Sequence, residues 1–408
     1  MRDATALAAD IAAGRRASVD YMQAALEAAD RLADYGATAR IEPEIGLKAA
    51  EAADKLPKEK RGPFHGVPFL GKDLGAYSRG LMPGGGNPSL RKLLADPEED
   101  DALFERFRTA GLVPFGLTTV PECGLALTSE PPGQAPARNP FDKTLTPGGS
   151  SGGAGAAVAA GIVAIAHATD AAGSIRVPAA CCGLVGLKPS RDRVPGGPHF
   201  NNHLLGIANE ATLSRSVRDG AVIFDAIKLD EGRSSAPMKT LGLVLPDSAS
   251  AATANKVSEL VKALETAGFR VKEIAVPENF GQRAIDVAAT FIKAAVASGL
   301  AIAGMSDEDL NPISAAVAAK GRAMPAADML ERYTDLLRLS DESQSLFETV
   351  DALVMPVLAD GPPVIGTFDP NETDPETVFV KMNAIAPNAA LANVSGLPAL
   401  AMPFGMMP

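Results

Sequence analysis

The chain has no tryptophan, four tyrosines and only four histidines in 408 residues. The histidines are His65, His167, His199 and His203, so the second half of the chain has no imidazole to offer a catalytic site. Cysteine is equally scarce. Cys123, Cys181 and Cys182 form an odd set with two neighbours, which excludes a disulfide framework and fits the cytoplasm. No His or Cys partner stands at ligand spacing to them, so they read as buried structural thiols, and neither a metal nor a cofactor is expected. Basic runs are missing too. With 38 Lys and Arg against 49 Asp and Glu, the net charge is −11, a poor match to nucleic acid or an anionic membrane surface. No long uncharged apolar run suggests a membrane span; the nearest stretch, Ala154 to Ala166, is short and rich in Ala and Gly. The opening MRDATALAADIAAGRRASVD carries charge where a signal peptide needs a continuous apolar region.

What is present is a core-forming composition. Hydrophobic residues make up 46%, and the 39 glycines and 32 prolines fall between apolar runs, as loops on an ordered scaffold would. The length suits one large domain or two ordinary ones, and the absence of a linker or internal repeat favours one. Periodicity predicts an amphipathic helix over 3–34, a short strand at 67–70, a helix over 100–110 and a strand at 112–117. A long loop over 128–149 follows, then a narrow Ala-rich helix over 154–161 and a buried strand at 162–166. Further on, 241–245, 255–267 and 269–276 read as strand, helix, strand. Residues 281–348 read as helical and 353–357 as a strand.

Three stretches carry residues fit for chemistry. HGVPFLGKD, from His65 to Asp73, has the glycine spacing of a nucleotide-binding loop. Such a loop needs small residues with free N–H groups and then a hydroxyl. Here the interior is Val67-Pro68-Phe69-Leu70, Pro68 has no N–H, and Asp73 replaces the hydroxyl. The stretch reads instead as an apolar strand that ends on Lys72. TPGGSSGGAGAAVAAG, from Thr146, contains Gly-x-Ser-x-Gly twice, around Ser150 and Ser151. A hydrolase elbow of that type wants a histidine far downstream, and the last one is His203. ATDAAGSIRVPAACCGLVGLKPS, from Ala168, places Ser174 after Ala171-Ala172-Gly173. Small residues there let successive N–H groups converge on one point, which is what holding an oxyanion requires. Asp170 and Arg176 are expected to pair and brace this turn. A serine nucleophile needs a base, and where histidine is badly placed a buried neutral lysine is the alternative. The stretches combine into one expectation, with Lys72 as base, a loop serine as relay and Ser174 as nucleophile.

GVPFLGKD, TTVPECG, RNPFDKTLTPGGSSGG and TDAAGSIRVPAACCGLVGLKPS follow one another in an order that closely resembles the amidase signature family. The resemblance covers residues 64–224 and returns at DALVMPVLA and NVSGLPALAMPFG. It implies an α/β single-domain amidase-signature fold over 1–408, with a mixed central β-sheet flanked by helices on both faces. It also implies a Ser–cis-Ser–Lys triad of Ser174 as nucleophile, Ser150 after a cis peptide bond as relay, and Lys72 as base. By the same motifs the N–H groups of Ala171, Ala172, Gly173 and Ser174 form the oxyanion hole, and Cys123, Gly124 and Ser151 line the pocket. The implied reaction is hydrolysis of the C–N bond of a small-molecule amide through an acyl-enzyme, without a cofactor. Esters or carbamates are the implied side substrates, and a homodimer is compatible with the family. The alternative is an amidotransferase subunit acting with a partner protein. Val177 argues against it, because those subunits typically carry Gln there. Ala172-Gly173 also departs from the Gly-Gly of many members, and the chain stops at Pro408, short of the family's usual last strand and helix. HATDAAGSIRVPAACCGLVGLKPSRDRVPGGP is similar to the bacterial branch that opens 6-aminohexanoate cyclic amides. Specificity is expected from 199–210 and 281–348. His167 is expected to be a satisfied core histidine, and His199 and His203 to sit in a loop that either covers the site or is simply solvated.

Overall fold

The computed structural model describes residues 2–196, 201–230 and 237–405, with 201–203 described by their backbone alone. Ten strands are formed among them: β1 Thr38–Ile41, β2 Val67–Lys72, β3 Leu112–Thr118, β4 Ile165–Asp170, β5 Val185–Lys188, β6 Asn209–Ser214, β7 Thr240–Leu243, β8 Arg270–Glu273, β9 Ala352–Val354 and β10 Ala399–Ala401. Seven of them build a sheet in the order β1-β3-β2-β4-β6-β5-β10. β2 lies parallel to β3 and β4, and the other pairs are antiparallel, so the sheet is mixed.

The middle of the sheet explains its own sequence. Every residue of β2, β3 and β4 is buried, so helices cover both faces and the strands read as apolar runs rather than alternating patterns. Helix Ala102–Thr109 lays Phe104 and Phe107 over Phe69 of β2, with the Phe69 and Phe107 rings 4.9 Å apart. The Ala-rich helix Gly152–Ala160 packs against β4; Gly153 meets the backbone of Thr119, where a Cβ would come within 2.3 Å of its nitrogen.

Four expectations change. The helix expected over 3–34 is two helices, Ala4–Ala12 and Ser18–Arg31, parted at Gly14 with φ 68°. The strand expected at 162–166 starts later, because Gly161 at φ 94° ends the preceding helix and 162–164 turn into β4. The strands expected near 241, 270 and 353 leave the main sheet and form a separate parallel sheet in the order β8-β7-β9. Whereas the sequence pointed to 154–166 as the nearest stretch, among the described residues one helix, Phe280–Ala303, is by length and composition long and apolar enough to cross a bilayer, although Arg283, Asp286 and Lys293 interrupt it. In this fold it carries eleven buried residues and packs on Pro312–Arg322, Ala326–Ser345, Pro375–Ile385 and Ala389–Val394.

Candidate active site

β2 ends on Lys72, whose side chain is fully buried. Its Nζ lies 2.8 Å from Ser150 Oγ and 2.7 Å from Thr169 Oγ1. Ser150 stands just ahead of helix Gly152–Ala160, and the Gly149–Ser150 peptide bond is cis. Burial lowers the Lys72 pKa from its ordinary 10.5 to about 7, against the upward pull of Glu210 and then Asp170. A large share of the amine is therefore neutral near pH 7 and able to accept a proton from a hydroxyl.

β4 runs beside β2 and supplies the rest of the lysine's surroundings. His167 and Thr169 are two apart on this strand and share a face. The Lys72 main-chain N–H donates to His167 Nδ1 at 3.2 Å, and His167 Nε2 lies 2.7 Å from Glu210 Oε2 on β6. His167 is thus a satisfied core histidine, as expected. Its partners, Lys72 and Glu210, are what the sequence did not show. The one signal was a lone acid, Glu210, among the residues NEATLS of a wholly buried strand.

The turn that follows β4 carries Ser174, which is 6% exposed. Asp170 organises it. Arg176 donates to Asp170 Oδ2 from Nε at 2.9 Å and to Oδ1 from Nη2 at 2.8 Å, the expected brace in its bidentate form. Burial alone would raise the Asp170 pKa, but Arg176 and Asn393 hold its carboxyl well below the usual carboxylate range. Asn393 comes from the far end of the chain. Its Nδ2 donates to Asp170 O at 2.9 Å, to Asp170 Oδ1 at 3.0 Å and to Ile207 O at 2.9 Å, while its Oδ1 accepts from Arg176 Nη2 at 2.7 Å. A second buried lysine, Lys188, lies nearby. Its Nζ donates to Pro189 O at 2.6 Å, and burial, then Arg176, lower its pKa to about 7.

Three expected site residues need correction or placement. The N–H of Gly173 donates to Asp170 Oδ1 at 2.8 Å, so it braces the turn and does not join the expected oxyanion donors. Among the described residues no hydrogen bond engages the N–H of Ala171, Ala172 or Ser174. Gly173 is required for another reason: at φ 117° a Cβ would sit 2.9 Å from that of Ala389. Ser151 is fully buried and does not line a pocket. Its Oγ donates to Thr169 O at 3.2 Å and accepts from Thr169 N–H at 3.3 Å, tying the serine loop to β4. Cys123 has its main-chain N–H donated to Gly85 O at 2.8 Å, and burial pushes its thiol up to about 12, which makes it a poor nucleophile.

Gly124 adjoins Ser150. A Cβ there would lie 3.5 Å from Ser150 Oγ and 2.7 Å from Leu74 Cδ2, on a backbone at φ 72°. Gly124→Ala is expected to lower kcat/KM by about tenfold or more through crowding and a strained φ; steady-state kinetics beside a thermal melt checks it. Asp73, which stands where a nucleotide loop would carry its hydroxyl, is turned to the scaffold. It accepts from Gly84 N–H at 2.7 Å and Gly86 N–H at 3.1 Å, pairs with Arg91, and so pins the loop whose Gly85 carbonyl holds Cys123. His199 lies outside the described residues. For His203 only the backbone is described, within helix Asn201–Gly206 rather than a loop.

A family model described as Amidase matches residues 18–408, and the chain belongs to that family. It is 40% identical over 192 residues to 6-aminohexanoate-cyclic-dimer hydrolase of Paenarthrobacter ureafaciens, a match spanning 46% of this chain and 39% of that relative. Against a putative amidase of Synechocystis sp. it is 34% identical over 405 residues, covering 92% of this chain and 77% of the relative. A solved structure of 6-aminohexanoate cyclic dimer hydrolase superposes with a TM-score of 0.89 at 27% identity, covering 99% of this chain and 90% of that one.

Proposed function

We propose that the chain is an amidase that hydrolyses the C–N bond of a small-molecule, non-peptide amide, linear or cyclic, and that 1–408 works as one amidase domain. The observation that carries the reading is the contact of a fully buried Lys72 Nζ with Ser150 Oγ at 2.8 Å. Neutral Lys72 accepts the Ser150 proton, and Ser150 accepts that of Ser174 as the Ser174 Oγ attacks the carbonyl. The tetrahedral oxyanion is held by the N–H groups of Ala171, Ala172 and Ser174. Collapse breaks the C–N bond, and the relay returns the proton to the leaving nitrogen. Water, deprotonated through the same relay, then releases the acyl group from Ser174.

The likeness to 6-aminohexanoate cyclic dimer hydrolase, in 40% identity over 192 residues and in fold, supports aliphatic and cyclic amides as the first substrates to try. The test is to incubate the purified chain alone with aliphatic, aryl and cyclic amides, follow amine release, and trap the acyl-enzyme by acid quench and mass spectrometry. An acyl mass on the Ser174 peptide is expected. Since Lys72 must be neutral, the acid limb of kcat/KM should fall near pH 7, where its lowered pKa lies. An adduct on another residue, or activity only with a partner protein added, would overturn the reading.

A further inference from the structure

Charged and titratable groups surround Lys72 on several elements. β3 presents Thr118 beside it, and helix Gly152–Ala160 contains only Gly, Ala and Val. Asp73, next in the chain, is paired with Arg91. β4 presents His167 and Asp170, and β6 presents Glu210. Asp170 is occupied by the two-pronged contact of Arg176 and by Asn393. Glu210 is held differently. Its Oε2 accepts the Ala76 N–H at 2.9 Å and faces His167 Nε2 at 2.7 Å. It is also packed on the turn after Lys72, because a Cβ on Gly75 would come within 2.6 Å of Oε2.

The polarity of this chain is fixed. His167 Nδ1 accepts the Lys72 main-chain N–H, so in the neutral ring the proton sits on Nε2 and points at Glu210. The Glu210 carboxylate accepts the N–H groups of Ala76 and His167, and its negative charge pulls the Lys72 pKa upward against burial. Its position beside Thr169 is built into the sheet, since Thr169 and Glu210 are cross-strand partners and Thr169 Oγ1 touches Lys72 Nζ.

We propose that His167 and Glu210 are positioning residues for Lys72, the imidazole fixing the backbone at the end of β2 and the carboxylate setting how readily the amine takes up a proton. The proposal rests on the reading of Lys72 as the base. Without the Glu210 charge, burial of the amine would go unopposed from β6, and Lys72 would hold its proton less well. Glutamine at 210 keeps the acceptor for Ala76 and His167 and removes only the charge.

The experiment is a 13C NMR titration of lysine-labelled protein, with the Lys72 Cε signal assigned by its absence in Lys72→Met. It needs no substrate. In Glu210→Gln the Lys72 titration should move down by about one pH unit, and the acid limb of kcat/KM should move with it. Glu210→Asp, which keeps the charge but draws it back, should show a smaller move in the same direction. A Lys72 titration unmoved in folded Glu210→Gln overturns the proposal. If that variant does not fold, an unmoved titration in Glu210→Asp does so. A merely structural role would lower activity while leaving the limb in place, which also counts against it. Near-wild-type activity in Lys72→Met would instead sink the reading of Lys72 as base, so the two failures are told apart.

Discussion

Lys72→Met is expected to lower kcat/KM by at least about a thousandfold while the protein stays folded. Methionine has nearly the length of lysine and no charge, so it can fill the space at the end of β2, where all six strand residues are buried. What disappears is the proton acceptor 2.8 Å from Ser150 Oγ. A serine hydroxyl with no base nearby is a weak nucleophile. The variant should melt no lower than the parent, because it removes an amine that burial penalises. Steady-state kinetics with a circular-dichroism melt would decide the matter: activity within tenfold of the parent would rule out Lys72 as base. Ser174→Ala should fall as far and also lose the acyl adduct.

The second large effect is expected at Arg176, which touches no reacting atom in this scheme. Arg176→Met leaves Asp170 as a buried carboxylate without its bidentate partner. Breaking a buried pair from one side costs about 3–5 kcal/mol, to be read as a lower midpoint in urea unfolding. The loss should reach the reaction as well, because Asp170 also holds the N–H groups of Gly173 at 2.8 Å and Ile175 at 3.1 Å, on either side of Ser174. The double variant Asp170→Asn/Arg176→Met should recover part of the stability, since no uncompensated charge is left. A single variant as stable as the parent would show that the brace is dispensable.

Legibility in the sequence followed the way each element is buried. β2 and β3 stood out because strands covered on both faces are apolar throughout. β6 did not, because its buried residues are Asn, Glu, Ala, Thr, Leu and Ser, and their burial is secured by partners that no local pattern reveals. The helix over 3–34 was drawn too long because its apolar spacing resumes after Gly14, hiding the break. At the candidate site, side-chain pairs formed within marked motifs were readable: the Lys72–Ser150 contact and the Asp170–Arg176 pair. Residues defined by distant contacts were not. Asn393 reaches Asp170 across 223 positions of sequence, and nothing near it in the chain announces that. Ser151 and Gly173 erred in the other direction. Both sit beside the catalytic candidates in sequence, yet their polar groups are turned inward to hold the scaffold.

The two buried lysines also couple the whole fold to proton concentration. Lys72 and Lys188 both lie near pKa 7 when folded, against an ordinary 10.5. Below about pH 7 both states bind these protons, and the burden of burying the amines is constant. Above it the folded chain has released two protons that the unfolded chain still holds, so stability climbs by about 1.4 kcal/mol per pH unit for each lysine. From about pH 9 the thiols of the half-buried Cys123 and the buried Cys181, pushed up to about 12, pull in the opposite sense, because only the unfolded chain gives up those protons. From these four groups, urea-unfolding midpoints measured across pH are expected to be highest on the alkaline side of neutral, the band in which a neutral amine is available to Ser150.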